Sequence, residues 1–142
     1  MLGTPVRVLV VDDSEPWRAS ERMLLKDHEQ LQIVAEVTDG LEAVQKAAEL
    51  QPDVILLDIG LPKLNGIDAA KEIHQVVPGT QIIFVTLNND ADLAKAALSN
   101  GAHGYVLKTH ATRELRSAIE EVLRGKQYVS SGLSFPFETA PN

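Results

Sequence analysis

The chain predicts a doubly wound α/β fold: five parallel strands in the order 2-1-3-4-5, covered on both faces by five helices. Two observations carry this. Five short apolar runs recur along the chain, Val6–Val11, Gln32–Val37, Val54–Leu57, Ile82–Val85 and Tyr105–Leu107. They are rich in Val and Ile and mostly unbroken rather than alternating, as strands buried on both faces are. Between them lie stretches of helical period, so strand and helix alternate five times, the pattern of right-handed crossovers in a parallel sheet. Five strands in about 125 residues favour the order 2-1-3-4-5 over the longer dinucleotide-binding order.

Each element has its own signal. The first helix opens with Ser14 as cap and Pro16 in its first turn, and its inward residues are expected to be Met23 and Leu24. In the second, Val44, Ala47 and Ala48 follow Leu41 at helical spacing, and Asp39 with Glu42 has the form of a capping box. Asn65 precedes a stripe of Ile67, Ala70, Ile73 and Val77; Ala94, Ala97 and Leu98 mark the next helix, closed by Gly101. Leu115, Ala118, Ile119, Val122 and Leu123 form the last stripe, with Thr112 as expected cap and Gly125 as stop. The expected domain is 5–127. Residues 128–142, with Ser130, Ser131, Gly132, Pro136 and Pro141, are expected to be a tail, in which Phe135 and Phe137 fold back on the domain.

Composition narrows the function. With 13 Lys+Arg against 20 Asp+Glu the net charge is −7, which opposes direct binding to a phosphate backbone. Six aromatic side chains are too few for base-stacking platforms. There is no cysteine, hence no disulfide or thiolate site. No apolar run approaches the ~20 residues that span a bilayer, and Met1–Arg7 lacks a signal-peptide pattern. A cytoplasmic protein without membrane or direct nucleic-acid contact is expected. The histidines His28, His74, His103 and His110 lack metal-ligand spacing and read as surface residues, and Trp17 as half-buried packing.

In an open α/β sheet, chemistry gathers at the carboxyl ends of the strands. Here strand one ends in Asp12–Asp13, strand three in Asp58, strand four in Thr86 and strand five in Lys108. Taken singly, each has an ordinary explanation as a cap, a β-former or a surface charge. Five polar strand ends on one rim are not ordinary. Two carboxylates ~4 Å apart repel by about 4 kcal/mol at an effective dielectric of 20, so the cluster needs a cation or shifted pKa values. Without metal, Asp13→Asn or Asp58→Asn is expected to relieve that repulsion. Hard oxygen ligands suit Mg²⁺, and Mg²⁺ suits phosphate, which makes Asp58 a candidate carboxylate nucleophile in phosphoryl chemistry.

The strings Val10-Val11-Asp12-Asp13, Leu56-Leu57-Asp58-Ile59-Gly60-Leu61-Pro62-Lys63-Leu64-Asn65-Gly66, Thr86 and Gly104-Tyr105-Val106-Leu107-Lys108 resemble the receiver domain of two-component response regulators, a flavodoxin-like fold. The likeness covers about residues 5–127. The run from Tyr105 to Thr109, with Ala118-Ile119 and Tyr128-Val129-Ser130, is most similar to receivers of LuxR-type regulators.

The resemblance implies that Asp58 accepts a phosphoryl group from a sensor histidine kinase or phosphotransfer protein. It implies Mg²⁺ bound by Asp13, Asp58 and the Gly60 carbonyl, with Asp12 on a metal-bound water. Lys108 would pair with phosphoryl oxygens, and Thr86 and Tyr105 would switch. Readout would pass to a downstream protein or a homodimer, and a stand-alone receiver that does not bind DNA is expected. Three features depart from the family pattern: Thr109 where proline is common, Leu87 where small residues are common, and the pair Gly60 and Asn88 at positions tied to phosphate lifetime. A haloacid-dehalogenase-type hydrolase would need an acid where Gly60 stands, and a pseudo-receiver would have lost an acid or the lysine.

Overall fold

A computed structural model describes residues 4–133. The strands are β1 (Val6–Val11), β2 (Leu31–Val37), β3 (Val54–Leu57), β4 (Gln81–Thr86), β5 (Gly104–Leu107) and β6 (Tyr128–Val129). The helices are α1 (Glu15–Leu25), α2 (Gly40–Leu50), α3 (Gly66–Val76), α4 (Ala91–Ser99) and α5 (Ala111–Leu123). All strand pairs are parallel, in the order β2-β1-β3-β4-β5-β6. The five expected strands and their order are present, and the short β6 extends them.

Period-2 alternation explains how unbroken apolar runs feed two cores. Leu9, Val11, Ile55, Leu57, Ile82, Phe84 and Tyr105 point to one face, where they meet Ala43 and Ala47 of α2, Ala70 and Ile73 of α3, and Ala94 and Ala97 of α4. Val8, Val10, Val54, Leu56, Ile83, Val85 and Val106 point to the other, against Leu25 of α1 and Leu115, Ile119 and Val122 of α5. Because the crossovers from β1 and from β3 leave in opposite directions, a crevice opens between the carboxyl ends of these two neighbouring strands.

Several local expectations are corrected. Met23 is 65% exposed, and Leu25 takes the buried place, because the inward face of α1 runs through Trp17, Glu21 and Leu25 at i, i+4 and i+8. In α2 the buried stripe is Gly40, Ala43 and Ala47, with Leu41 and Ala48 exposed; the smallest side chains face the neighbouring layer and allow close approach. Leu123 is also partly exposed. Thr112 is not the cap of α5: a 3₁₀ turn, Lys108–His110, leads straight into the helix at Ala111. None of the four histidines is freely exposed, each being half-buried.

Other expectations hold. Asp39 accepts from the Glu42 amide at 2.8 Å and Asn65 from the Asp68 amide at 2.9 Å. Gly125 follows α5 with φ of +85°, the left-handed turn that favours glycine. Tyr128 and Val129, expected in the tail, pair with Gly104 and Tyr105 of β5. The fold-back of Phe135 and Phe137 lies outside the described residues.

Candidate functional site

The site is built from the ends of four parallel strands. At the end of β1 the Asp12 amide donates to the Val37 carbonyl of β2, and the Asp12 carbonyl accepts from Arg18 Nη1 at 2.7 Å. Its Oδ1 accepts from the Ser14 amide at 2.9 Å, which ties the entry of α1 to this acid. Asp13, next along, is exposed. At the end of β3 the Asp58 amide donates to the Val11 carbonyl, and Asp58 Oδ1 accepts from the Ile59 amide at 2.8 Å.

The loop after Asp58 is held closely. The Gly66 amide donates to the Ile59 carbonyl at 2.7 Å. A Cβ on Gly66 would lie 2.0 Å from the Asp58 carbonyl oxygen, so any side chain there would displace the loop that carries Gly60.

Lys108 joins the two acids. Its Nζ lies 2.6 Å from Asp12 Oδ2 and 3.1 Å from Asp58 Oδ2, and its side chain is 4% exposed. The Trp17 ring stands beside it, with Nζ 5.0 Å from the ring centroid. Burial works against the ammonium, yet the carboxylates of Asp12 and Asp58 prevail and hold its pKa above the ordinary lysine value. Burial likewise raises the pKa of Asp12, opposed by Lys108 and the Ser14 amide. The repulsion expected among the acids is thus already offset between Asp12 and Asp58. Removing either acid also removes a partner of Lys108, so the gain expected from Asp58→Asn shrinks.

Oxygens of Asp12, Asp13 and Asp58 lie within 4.8 Å of one another, the one such grouping among the described residues. An open cleft of about 420 Å³ beside them is lined by Asp58, Ile59, Gly60, Thr86, Leu87, Asn88 and Lys108. A larger depression of about 610 Å³ between α2 and α3, with Asp39, Leu41, Lys63 and Glu72, lies away from this rim.

Thr86 and Tyr105 take different places. Thr86 is buried at the cleft wall, and its Oγ1 accepts from the Asn88 amide at 3.2 Å. Tyr105 is fully buried and does not line the cleft; its hydroxyl donates to the Asn88 carbonyl at 2.8 Å. Burial, with Asp90 and Asp58 adding to it, pushes the Tyr105 phenol up to about 12. Both residues therefore meet at the backbone of Asn88, at the start of the β4–α4 loop. Among the described residues every peptide bond is trans, including that before Thr109.

Sequence reasoning missed three residues of this neighbourhood: Arg18 on the Asp12 carbonyl, Trp17 at the Lys108 ammonium, and Glu21. Glu21 is 4% exposed, its Oε1 lacks a hydrogen-bond partner, and burial, with the Asp12 charge adding to it, pushes its carboxyl up to about 8. The i, i+4, i+8 spacing of Trp17, Glu21 and Leu25 was the available signal.

Most of the chain is similar to known proteins. The family described as response regulator receiver domain matches residues 8–120. The response regulator GacA of Pseudomonas viridiflava is 34% identical over 125 residues, which is 88% of this chain and 58% of that protein. The oxygen regulatory protein NreC of Staphylococcus epidermidis is 33% identical over 130 residues, 91% of this chain and 60% of that protein. The chain thus spans about three-fifths of the length of these relatives.

Among solved structures, a LuxR-family two-component response regulator from Aurantimonas sp. superposes with a TM-score of 0.87 at 32% identity, covering 92% of this chain and 93% of that one. The signal receiver domain of the putative response regulator NarL from Mycobacterium tuberculosis gives 0.82 at 27% identity, covering 87% of this chain and 100% of that one.

Proposed function

Since the chain belongs to the response regulator receiver domain family, the signalling domain of two-component systems, we propose that it accepts a phosphoryl group on Asp58 and changes its binding surface in response. The observation that carries this is the three-way meeting of Asp12, Asp58 and Lys108 at the switch point of the sheet.

The chain's own residues supply most of the chemistry. An Asp58 carboxylate oxygen attacks the phosphorus of the donor, forming an acyl phosphate. The donor's P–N bond (phosphohistidine) or P–O bond (a small acyl phosphate) breaks, and its electron pair leaves with the donor. Asp58 Oδ1 is oriented by the Ile59 amide, which leaves Oδ2, now on Lys108, to exchange that partner for the incoming group. Lys108, with its pKa held up, stays an ammonium and can follow the charge onto the phosphoryl oxygens. Asp12, Asp13 and Asp58 form an all-oxygen set that suits Mg²⁺ and offers nothing to soft metals, and the carbonyl of Gly60, which lines the adjoining cleft, would complete it. When bound there, Mg²⁺ would neutralise charge on the transferring group.

Phosphate on Asp58 draws the Thr86 hydroxyl from the Asn88 amide, and this loosens the loop that Tyr105 also holds. The α4, β5 and α5 face above these residues is where a downstream protein or a second copy would read the change. The donor is a sensor histidine kinase or a phosphotransfer protein. Residues 5–127, with β6 docked on them, are the unit that carries this reading, as a signalling domain rather than an enzyme acting on a separate substrate. The net charge of −7 argues against nucleic acid as its direct partner.

Incubation with acetyl phosphate and Mg²⁺ should add one phosphoryl group to the intact protein, and peptide mapping should place it on Asp58. Asp58→Asn should abolish it. Full labelling of Asp58→Asn, or labelling untouched by a chelator, would refute the assignment.

A further inference from the structure

Lys108 has a third neighbour besides its two carboxylates. Trp17 lies in the first turn of α1, and that turn is bolted to Asp12 twice, through the Ser14 amide on Oδ1 at 2.9 Å and through Arg18 on the carbonyl at 2.7 Å. This anchoring brings the indole to 5.0 Å from Nζ. Trp17 is half-buried, and Lys108 stays 4% exposed although it borders an open cleft.

An ammonium has three N–H groups. Asp58 draws on one through a hydrogen bond at 3.1 Å, while Asp12 Oδ2 lies at ion-pair distance, 2.6 Å, without a directed N–H. A ring face attracts the cation through its quadrupole and takes no particular N–H. Its hold therefore persists while the ammonium turns.

We propose that Trp17 is a positioning residue for phosphoryl transfer: its ring keeps the Lys108 ammonium at the rim while the N–H that pairs with Asp58 passes to the phosphoryl group. This rests on the reading of Asp58 as acceptor. Bulk alone does not do this work, because an aliphatic side chain of similar burial excludes water but exerts no pull on the charge.

The test compares wild type, Trp17→Phe and Trp17→Leu for the rate of phosphorylation by acetyl phosphate with Mg²⁺. NMR of the Lys108 side-chain methylenes accompanies it. A cation–π contact of ordinary strength corresponds to about a 5- to 20-fold slower rate for Trp17→Leu, with Trp17→Phe within about threefold of wild type. Ring-current displacement of the Lys108 methylene signals should be present in wild type and Trp17→Phe and absent in Trp17→Leu.

Equal rates for Leu and wild type overturn the inference while leaving Asp58 as acceptor. So does the lack of ring-current displacement in wild type, a measurement that needs no variant to fold. A wild type that takes no label at all overturns the acceptor reading, and this inference with it.

Discussion

Glu21 is a carboxylate in a place shaped for an apolar side chain. It lies between Trp17 and Leu25 on the inward face of α1, and its Oε1 has no hydrogen-bond partner. Its carboxyl is pushed up to about 8 from 4.5, so the folded protein binds the extra proton between these values and the unfolded chain does not. Stability should therefore fall as pH rises from about 5 to 8, by roughly 2–4 kcal/mol. Glu21→Gln should flatten that slope and be the more stable protein at pH 8; denaturant unfolding at three pH values checks it. Removing the charge has the opposite effect at Lys108, whose ammonium stabilises the fold. Lys108→Met leaves Asp12 and Asp58 facing each other without a cation, which should cost about 1–3 kcal/mol once the open side of the rim is allowed for. Under the proposed reading Mg²⁺ takes over that neutralising role. Thermal melts should then show a larger Mg²⁺ stabilisation of Lys108→Met than of wild type, and equal shifts would count against a shared site.

At the level of elements, α5 does more than cover the sheet. Glu114 reaches from its first turns to the residues after β6: it accepts from the hydroxyl of Ser130, from Ser131 Oγ at 2.6 Å and from the Ser131 amide at 3.3 Å. Ser130 Oγ in turn accepts from the Leu107 amide at 3.1 Å, one residue before Lys108. Burial would raise the Glu114 carboxyl, but the two serines outweigh it and its pKa is lowered. A lowered folded pKa stabilises above the ordinary value of 4.5 and is lost as pH falls through the folded value. Glu114→Ala should destabilise by about 2 kcal/mol at pH 7 and by less in acid, which unfolding at pH 7 and pH 4 measures. This clamp was hidden from the sequence. Tyr128 and Val129 are too few to show a period, and a glutamate in a first helical turn reads as a favourable end charge. The phases of α1 and α2 were half legible: Leu24, Val44 and Ala47 pack on the core as expected, whereas Met23, Leu41 and Ala48 do not, for a different reason. Each helix offers apolar residues on two adjacent faces, and in α1 the true inward face contains a charge that pattern reading discards.

Across the whole molecule, the legible part was what local order alone determines. Each of Asp12, Asp58, Thr86 and Lys108 closes an apolar run, and parallel strands bring such ends to one rim, so site and topology were readable together. Features that depend on long-range packing were not readable: Trp17 beside Lys108, or Tyr105 reaching the Asn88 carbonyl rather than the cleft. The sheet's two margins show one more effect of packing. On one side β2 ends the sheet, with Gln32 and Glu36 along it; on the other, β6 covers the hydrogen-bonding edge of β5 at Gly104 and Tyr105. Only two residues make that cover, and Glu114 holds the two serines after them. Once the clamp opens, the strand that leads into Lys108 becomes a bare backbone edge, a template on which an extended strand of another molecule can pair. The same glutamate that fixes the chain after β6 thus also holds in place the cover over the β5 edge at Gly104 and Tyr105.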